Sequence, residues 1–535
     1  MALGTAAALM ALRTVAALEH IEPAQTEDGQ AIEIAETETR FIEARWLETS
    51  IHAEPWTPGK RLATVTRETR LRVRGVVESR DSRGCHNKPW YAVYPFGFVC
   101  SEQARPTDEA PDHGPAVPLE KDRRLPHRYI VVREDGVAMY RDKEALDNAE
   151  VARRLSKGMT LAATRQFEYE GVEYVETVDG PLVTREGVAW MGEGSEWSGV
   201  HIRNADVGPA FAWVFRDKTP VHVEPDATSD RAGALARRAR VRILEVETDA
   251  PDDEATLADA KLLRGKNKPR ERWVKIGERR WVDASLLNEV HVIEPPEGVL
   301  GDARLRERGN DQWIDVDLGE QVLVAYRGDA PVYATLISSG RGSPTPRGDY
   351  PIWAKVTTLT MDNQGYEDNA YMVQHVPWVL LFQGHNALHG AYWHDQFGKR
   401  KSHGCVNLAP HDARWVFEWV APTMHAGWTG YLPGELDRSV VVHVRDSSQP
   451  EGERFVQDRR VGPPDREEEQ RKLEEAEKRR AAEAAEAAKE TAEAAEAAIG
   501  SPAAPELAAT KPGPTTRVTA PVRRIPRVPP SGDGS

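Results

Sequence analysis

The sequence is short of cysteine, of basic excess and of long apolar runs, and each shortage excludes something. Three cysteines in 535 residues cannot frame a disulfide-rich scaffold. Lysine and arginine total 70 against 85 aspartates and glutamates, a net charge of −15. The chain therefore lacks the basic surplus of a general nucleic-acid or anionic-membrane binder. No apolar run of roughly eighteen residues follows the N-terminal segment, so no membrane-spanning helix is expected. What is present is ordinary for folded protein: 40% hydrophobic and 29% charged residues. Such a chain holds several domains, at roughly 100–200 residues each, every one able to bury a core.

Residues 1–18 are rich in Ala and Leu and have the length of a secretory apolar segment. They lack a basic start and carry Arg13, which leaves an export signal and a short amphipathic helix both open. Residues 19–60 read as a polar linker. From Arg61 the pattern alternates, with Leu71, Val73 and Val76 set between arginines, which predicts strands and a small β module over 61–102. The proline- and charge-rich stretch 103–126 reads as a second linker, followed by β modules over 127–205 and 211–292. Trp90–Cys100, Tyr174–Val183 and Trp273–Val282 repeat one hairpin pattern, an aromatic opening, a turn and an apolar return. Small barrels would hide the edges of such hairpins, and the first and third copies resemble bacterial SH3-type modules.

Beyond residue 447, Pro464-Asp465 opens a predicted helix over 464–500, with Glu467, Glu468 and Glu469 at its positive end. Leu473 is its one large apolar residue before Ile499, so it reads as a single solvated spacer. The proline-rich, basic tail 501–535 is predicted to be disordered.

Cys85 and Cys100 lie fifteen positions apart, and Cys405 stands alone. That spacing reads as one disulfide and one free thiol, with two buried reduced thiols as the alternative. A bridge there would contribute about 3 kcal/mol, and only in an oxidising compartment.

The lone thiol carries the chemistry. It sits in Ser402-His403-Gly404-Cys405-Val406-Asn407, preceded by His389-Gly390 and Gly398. A free thiol titrates near pH 8.5 and reacts as its thiolate, so it needs a base within hydrogen-bond reach. His403, two residues before the thiol, can only flank it, because side chains two apart on a strand are nearly 7 Å apart. His389 arrives from another segment and can meet the sulfur head-on. Gly404 has no Cβ, so the N–H groups of Gly404 and Cys405 are candidates for an oxyanion hole. Tyr392 and Trp393 either wall a substrate cleft or pack internally. Trp415 and Trp419, one helical turn apart after Asp412, are expected on the buried face of a helix, and Asp395 reads as an exposed loop charge. Histidines 385, 389, 394, 403 and 411 with Cys405 show no short metal-ligand pair, so no metal is expected.

These residues resemble the signature of the L,D-transpeptidase (YkuD-type) catalytic domain, over 311–446. Trp313-Ile-Asp-Val-Asp-Leu is similar to that family's opening strands, and Ser338–Gly348 to its Thr-Pro-x-Gly turn. The resemblance implies a mainly β, sandwich-like catalytic domain acting on peptidoglycan stem peptides without metal or organic cofactor. It implies Cys405 as nucleophile, His389 as proton donor and acceptor and His403 in support. Ser402, Asn407, Gly390, Trp393 and Tyr392 would lie around the substrate. The product would be a 3→3 cross-link or a protein attachment, made in the cell envelope, in the periplasm. An L,D-carboxypeptidase using the same thiol and an inactive peptidoglycan-binding scaffold are the alternatives. Oligomeric state is left open, and no nucleic-acid partner is expected.

Overall fold

A computed structural model of the chain describes residues 32–55, 60–79, 85–202, 210–248, 272–300, 311–342, 345–362, 371–449, 454–457 and 460–499. The N-terminal segment 1–18 and the tail 501–535 lie outside the described residues.

The protein is mainly β, as its alternating patterns predict. Arg70–Val77 buries Leu71, Val73, Gly75 and Val77, the even-spaced set that a pleated strand turns to one side. Val76, grouped with Leu71 and Val73 by the sequence pattern, turns to the opposite face, and its backbone pairs with that of Ala35. Gly75 is required there, since a Cβ would stand 2.4 Å from the Ala35 carbonyl oxygen. All three hairpins form: Trp90–Val93 with Phe98–Cys100, Val172–Thr177 with Leu182–Thr184, and Arg272–Gly277 with Arg280–Asp283. Cys85 and Cys100 are joined in a disulfide, buried beside Trp90 and Phe98.

Two expectations are corrected. The stretches read as linkers contain strands, Phe41–Ala44 and Thr49–His52 in the first and Ala104–Thr107 in the second. Four-residue strands are too short to show a period against polar neighbours. Their partners are distant: Phe41–Ala44 pairs with both Arg70–Val77 and Ala104–Thr107. The barrel form is the second correction, because no sheet among the described residues closes into a barrel. Arg61–Val65 instead adds to the 311–446 region, with Ala63 opposite Tyr431 and Thr64 opposite Gly430. A neighbouring sheet thus covers the edge that closure would have hidden.

Within 311–446, one sheet runs in the order Ala330–Leu336, Val322–Arg327, Gln312–Asp317, Val441–Arg445, Gly348–Pro351. Arg445 anchors it, its guanidinium binding Asp315 at 3.0 and 2.8 Å and Asp317 at 3.0 Å. Ala354–Asp362, Met372–Gln383, Asn386–Gly390 and Val406–Leu408 form the facing sheet. Ile314 and Val316 from the first, and Leu380, Phe382 and Val406 from the second, share a core with Ile42, Ile51 and Val65.

Helix Pro410–Trp419 follows the last strand and buries Ala413, Val416 and Phe417. Trp415 and Trp419 flank that face half-buried, stacked 5.6 Å apart, rather than forming it. The buried polar residue is Asp412, which accepts hydrogen bonds from the Gly199 N–H at 2.8 Å, Tyr333 and Thr335. Burial pushes its carboxyl up to about 6. The C-terminal helix spans Arg466–Ile499, its first amides capped by Asp465. No described helix is long and apolar enough to cross a membrane.

Candidate active site

Asn386–Gly390 and Val406–Leu408 are parallel neighbours, with Leu388 opposite Val406, His389 opposite Asn407 and Gly390 opposite Leu408. Opposed residues turn their side chains to the same face, and every second residue returns to it. His389, Ala387 and Asn407 therefore share a face with Cys405, which immediately precedes the second strand.

His389 is 2% exposed. Its Nδ1 lies 3.3 Å from the Gly390 carbonyl oxygen. A carbonyl only accepts, so Nδ1 carries the proton and Nε2 keeps its lone pair. Trp393, half-buried, lies along the ring at 5.7 Å. Burial pushes the imidazole down to about 4, so it is neutral at ordinary pH. Cys405 is half-buried, with Sγ 3.7 Å from the His385 carbonyl oxygen. Burial pushes the thiol up to about 11, and the Ala387 amide offsets this only in part. Gly390 is a glycine for space: a Cβ would meet Pro377 Cγ at 3.2 Å and Trp378 Cε3 at 3.3 Å.

The turn 402–405 is held from within and from outside. The Gly404 N–H donates to Ser402 Oγ at 3.1 Å, and the Ser402 hydroxyl donates to the Cys405 carbonyl. Ser402 N–H donates to Ser339 O at 3.0 Å, and Arg341 N–H to Ser402 O at 3.0 Å. Thr345 Oγ1 donates to Gly404 O at 2.7 Å and accepts from Gly340 N–H at 2.8 Å. This corrects the expectation for Gly404, whose N–H is engaged by Ser402. Among the described residues, the N–H groups of His403 and Cys405 find no acceptor within the turn.

The remaining expected residues divide. Asn407 is buried, bonded through its backbone to Ser338 and through Nδ2 to His394 Nε2 at 2.9 Å, so it braces the strand. Tyr392 is 3% exposed, stacked 3.7 Å from Tyr129, with its hydroxyl on Thr160 and the Gln374 carbonyl. It packs the interior, which corrects its placement around substrate. His403 is exposed and stacks on Tyr371 at 5.3 Å. Among the described residues no group of three His, Cys, Asp or Glu is placed to hold a metal ion.

Two participants escaped the sequence reading. His394 was visible only as one histidine among several, and burial pushes it down to about 4. Thr345 belonged to the Thr-Pro-x-Gly turn, but its hydrogen-bond partner lies 59 residues away. Asp395, read as an exposed loop charge, is held by Arg238 at 2.7 Å, Arg237 and Ser195.

Residues 311–442 match the model of the YkuD L,D-transpeptidase catalytic domain family. Solved structures that resemble the chain include an Enterococcus faecium L,D-transpeptidase, 24% identical with a TM-score of 0.20, covering 25% of this chain and 49% of that one. The catalytic domain of an E. faecium L,D-transpeptidase is 23% identical with a TM-score of 0.20, covering 25% of this chain and 97% of that one. Mycobacterium tuberculosis L,D-transpeptidase 1 is 20% identical with a TM-score of 0.19, covering 25% and 60%. The chain thus spans about half the length of the first of these, at 49%. No curated protein sequence matches it.

Proposed function

Taking residues 311–442 as an L,D-transpeptidase catalytic domain, we propose that this chain forms a thioester on Cys405 with a peptidoglycan stem peptide and passes the acyl group to an amine. The observation that carries the reading is the parallel pairing of Asn386–Gly390 with Val406–Leu408, which turns His389 and Cys405 to one face. The Nδ1 contact with Gly390 leaves the His389 Nε2 lone pair for the thiol proton.

The two groups rest as neutral thiol and neutral imidazole, because burial acts on them in opposite directions. The proton therefore moves as the bond forms, and no standing ion pair is needed. Cys405 Sγ attacks the carbonyl carbon of the stem's third residue, the carbonyl electron pair moves onto oxygen, and the thiol proton passes to His389 Nε2. Collapse breaks the C–N bond, and the terminal D-alanine leaves with that proton on its amine. In the second half an acceptor amine attacks the thioester, gives a proton to His389, and the sulfur leaves and is reprotonated. An amine on a neighbouring stem gives a 3→3 cross-link. The stem peptides lie in the wall, outside the cytoplasmic membrane, and the Cys85–Cys100 disulfide fits an oxidising compartment.

Purified full-length chain incubated with tetrapeptide-containing muropeptides should yield cross-linked dimers and free D-alanine, and Cys405→Ala should yield neither. Tripeptides alone would identify a carboxypeptidase. Unchanged wall chemistry in Cys405→Ala would leave only a binding scaffold.

A further inference from the structure

Resting on the transpeptidase reading, we propose that Thr345 is a positioning residue: its hydroxyl clamps the Gly404–Cys405 peptide so that the Cys405 N–H is aimed at the oxyanion of acyl transfer. Most polar groups of the nucleophile turn already have partners. Gly404 N–H is engaged by Ser402 Oγ, and the Ser402 hydroxyl by the Cys405 carbonyl. Gly340 N–H donates to Thr345 Oγ1 at 2.8 Å, which leaves the single hydroxyl proton for Gly404 O, 2.7 Å away. Among the described residues, neither the His403 N–H nor the Cys405 N–H has an acceptor in the turn, and the Cys405 N–H is the one that shares its peptide unit with the clamped Gly404 carbonyl.

The aim of that donor follows from peptide geometry. The Gly404 carbonyl and the Cys405 N–H belong to one planar trans unit and point in opposite directions. Fixing the oxygen toward Thr345 fixes the N–H away from it. Thr345 is 1% exposed, so no water replaces its hydroxyl once that is removed. Its β-branched side chain has few χ1 states, and its neighbour Gly340 is bridged to Ser402, so clamp and turn move together.

The need for such a donor comes from the resting state of the nucleophile. A thiol held high beside an imidazole held low makes no thiolate in advance, so charge appears on the carbonyl oxygen as the S–C bond forms. Stabilising that oxygen is the step in which a preaimed N–H acts, and losing one such donor typically slows acyl transfer about 10²–10³-fold. Misaiming it costs less than deleting it.

The test separates aiming from mere structural support by reading two reactions of one sulfur in the full-length, disulfide-intact chain. Alkylation of Cys405 by iodoacetamide develops no oxyanion, whereas acylation by a carbapenem does; both are followed by mass. Thr345→Val should slow acylation about 10- to 100-fold while alkylation stays within about twofold of wild type. Thr345→Ser, which keeps the hydroxyl, should recover most of the acylation rate. Thr345→Ala serves as the second hydroxyl-free variant if thermal unfolding shows that valine crowds the site. Unchanged acylation in the hydroxyl-free variants, a parallel fall in both reactions, or a serine variant as slow as valine would each overturn the proposal. A wild-type chain that is alkylated but never acylated overturns the transpeptidase reading itself, an outcome distinct from any behaviour of the variants.

Discussion

The sulfur and the imidazole are set apart by burial more than by each other. Desolvation disfavours the charged form of each, raising an acid and lowering a base. The expected consequence is a thiol whose alkylation rate keeps climbing from pH 8 towards 11 in the resting chain. An ordinary thiol, titrating near pH 8.5, would have levelled off by about pH 9.5. A midpoint near pH 8.5 would show Cys405 to be solvated like a free thiol. Both residues stood out in the sequence because they sit in the clustered His389-Gly390 and Ser402-His403-Gly404-Cys405 pattern. The Gly404 amide and Tyr392 were misjudged because their partners come from outside the motif's local logic, Ser402 folding back across its own turn and Thr160 reaching in from another module.

The element that joins base to nucleophile, residues 391–401, is tied down by a module more than a hundred residues earlier in the chain. Arg237 and Arg238 hold the Asp395 carbonyl at 2.6 and 3.1 Å, and Arg238 also holds its carboxylate. Asn288 reaches the Gly398 carbonyl at 3.3 Å, while Gly398 N–H bonds to Ile337 O at 2.8 Å. Exposed ion pairs are each worth only about 0–1 kcal/mol, so their loss should loosen the loop without unfolding the protein. Replacing Arg237 and Arg238 by alanine is expected to raise amide hydrogen exchange at residues 394–398 and to slow Cys405 acylation several-fold. Exchange indistinguishable from wild type would remove the latch. The hairpins were legible because a turn and its two strands are contiguous, whereas a contact spanning 157 residues between Arg238 and Asp395 leaves no local trace.

At the scale of the whole molecule, the N-terminal strands and the 311–446 region are one body. Ile42, Ile51, Ala63 and Val65 lie in the same buried cluster as Trp378, Val416 and Trp428, and Arg61–Val65 pairs with Trp428–Tyr431. A fragment of residues 311–446 would expose both that core and the Trp428–Tyr431 edge. It is expected to aggregate or to unfold roughly 10 °C or more below the full chain, read by calorimetry. Equal midpoints would show that the region folds independently. The amino-acid sequence by itself determined the mainly β character, the three hairpins and the capped terminal helix, all of which rest on spacing along the chain. Tertiary structure alone decided that Phe41–Ala44 and Thr49–His52 become strands, that no sheet among the described residues closes into a barrel, and that Thr345 reaches the Gly404 carbonyl. Those outcomes depend on hydrogen bonds and apolar contacts between segments far apart in sequence, whose worth exists only once the chain has brought them together.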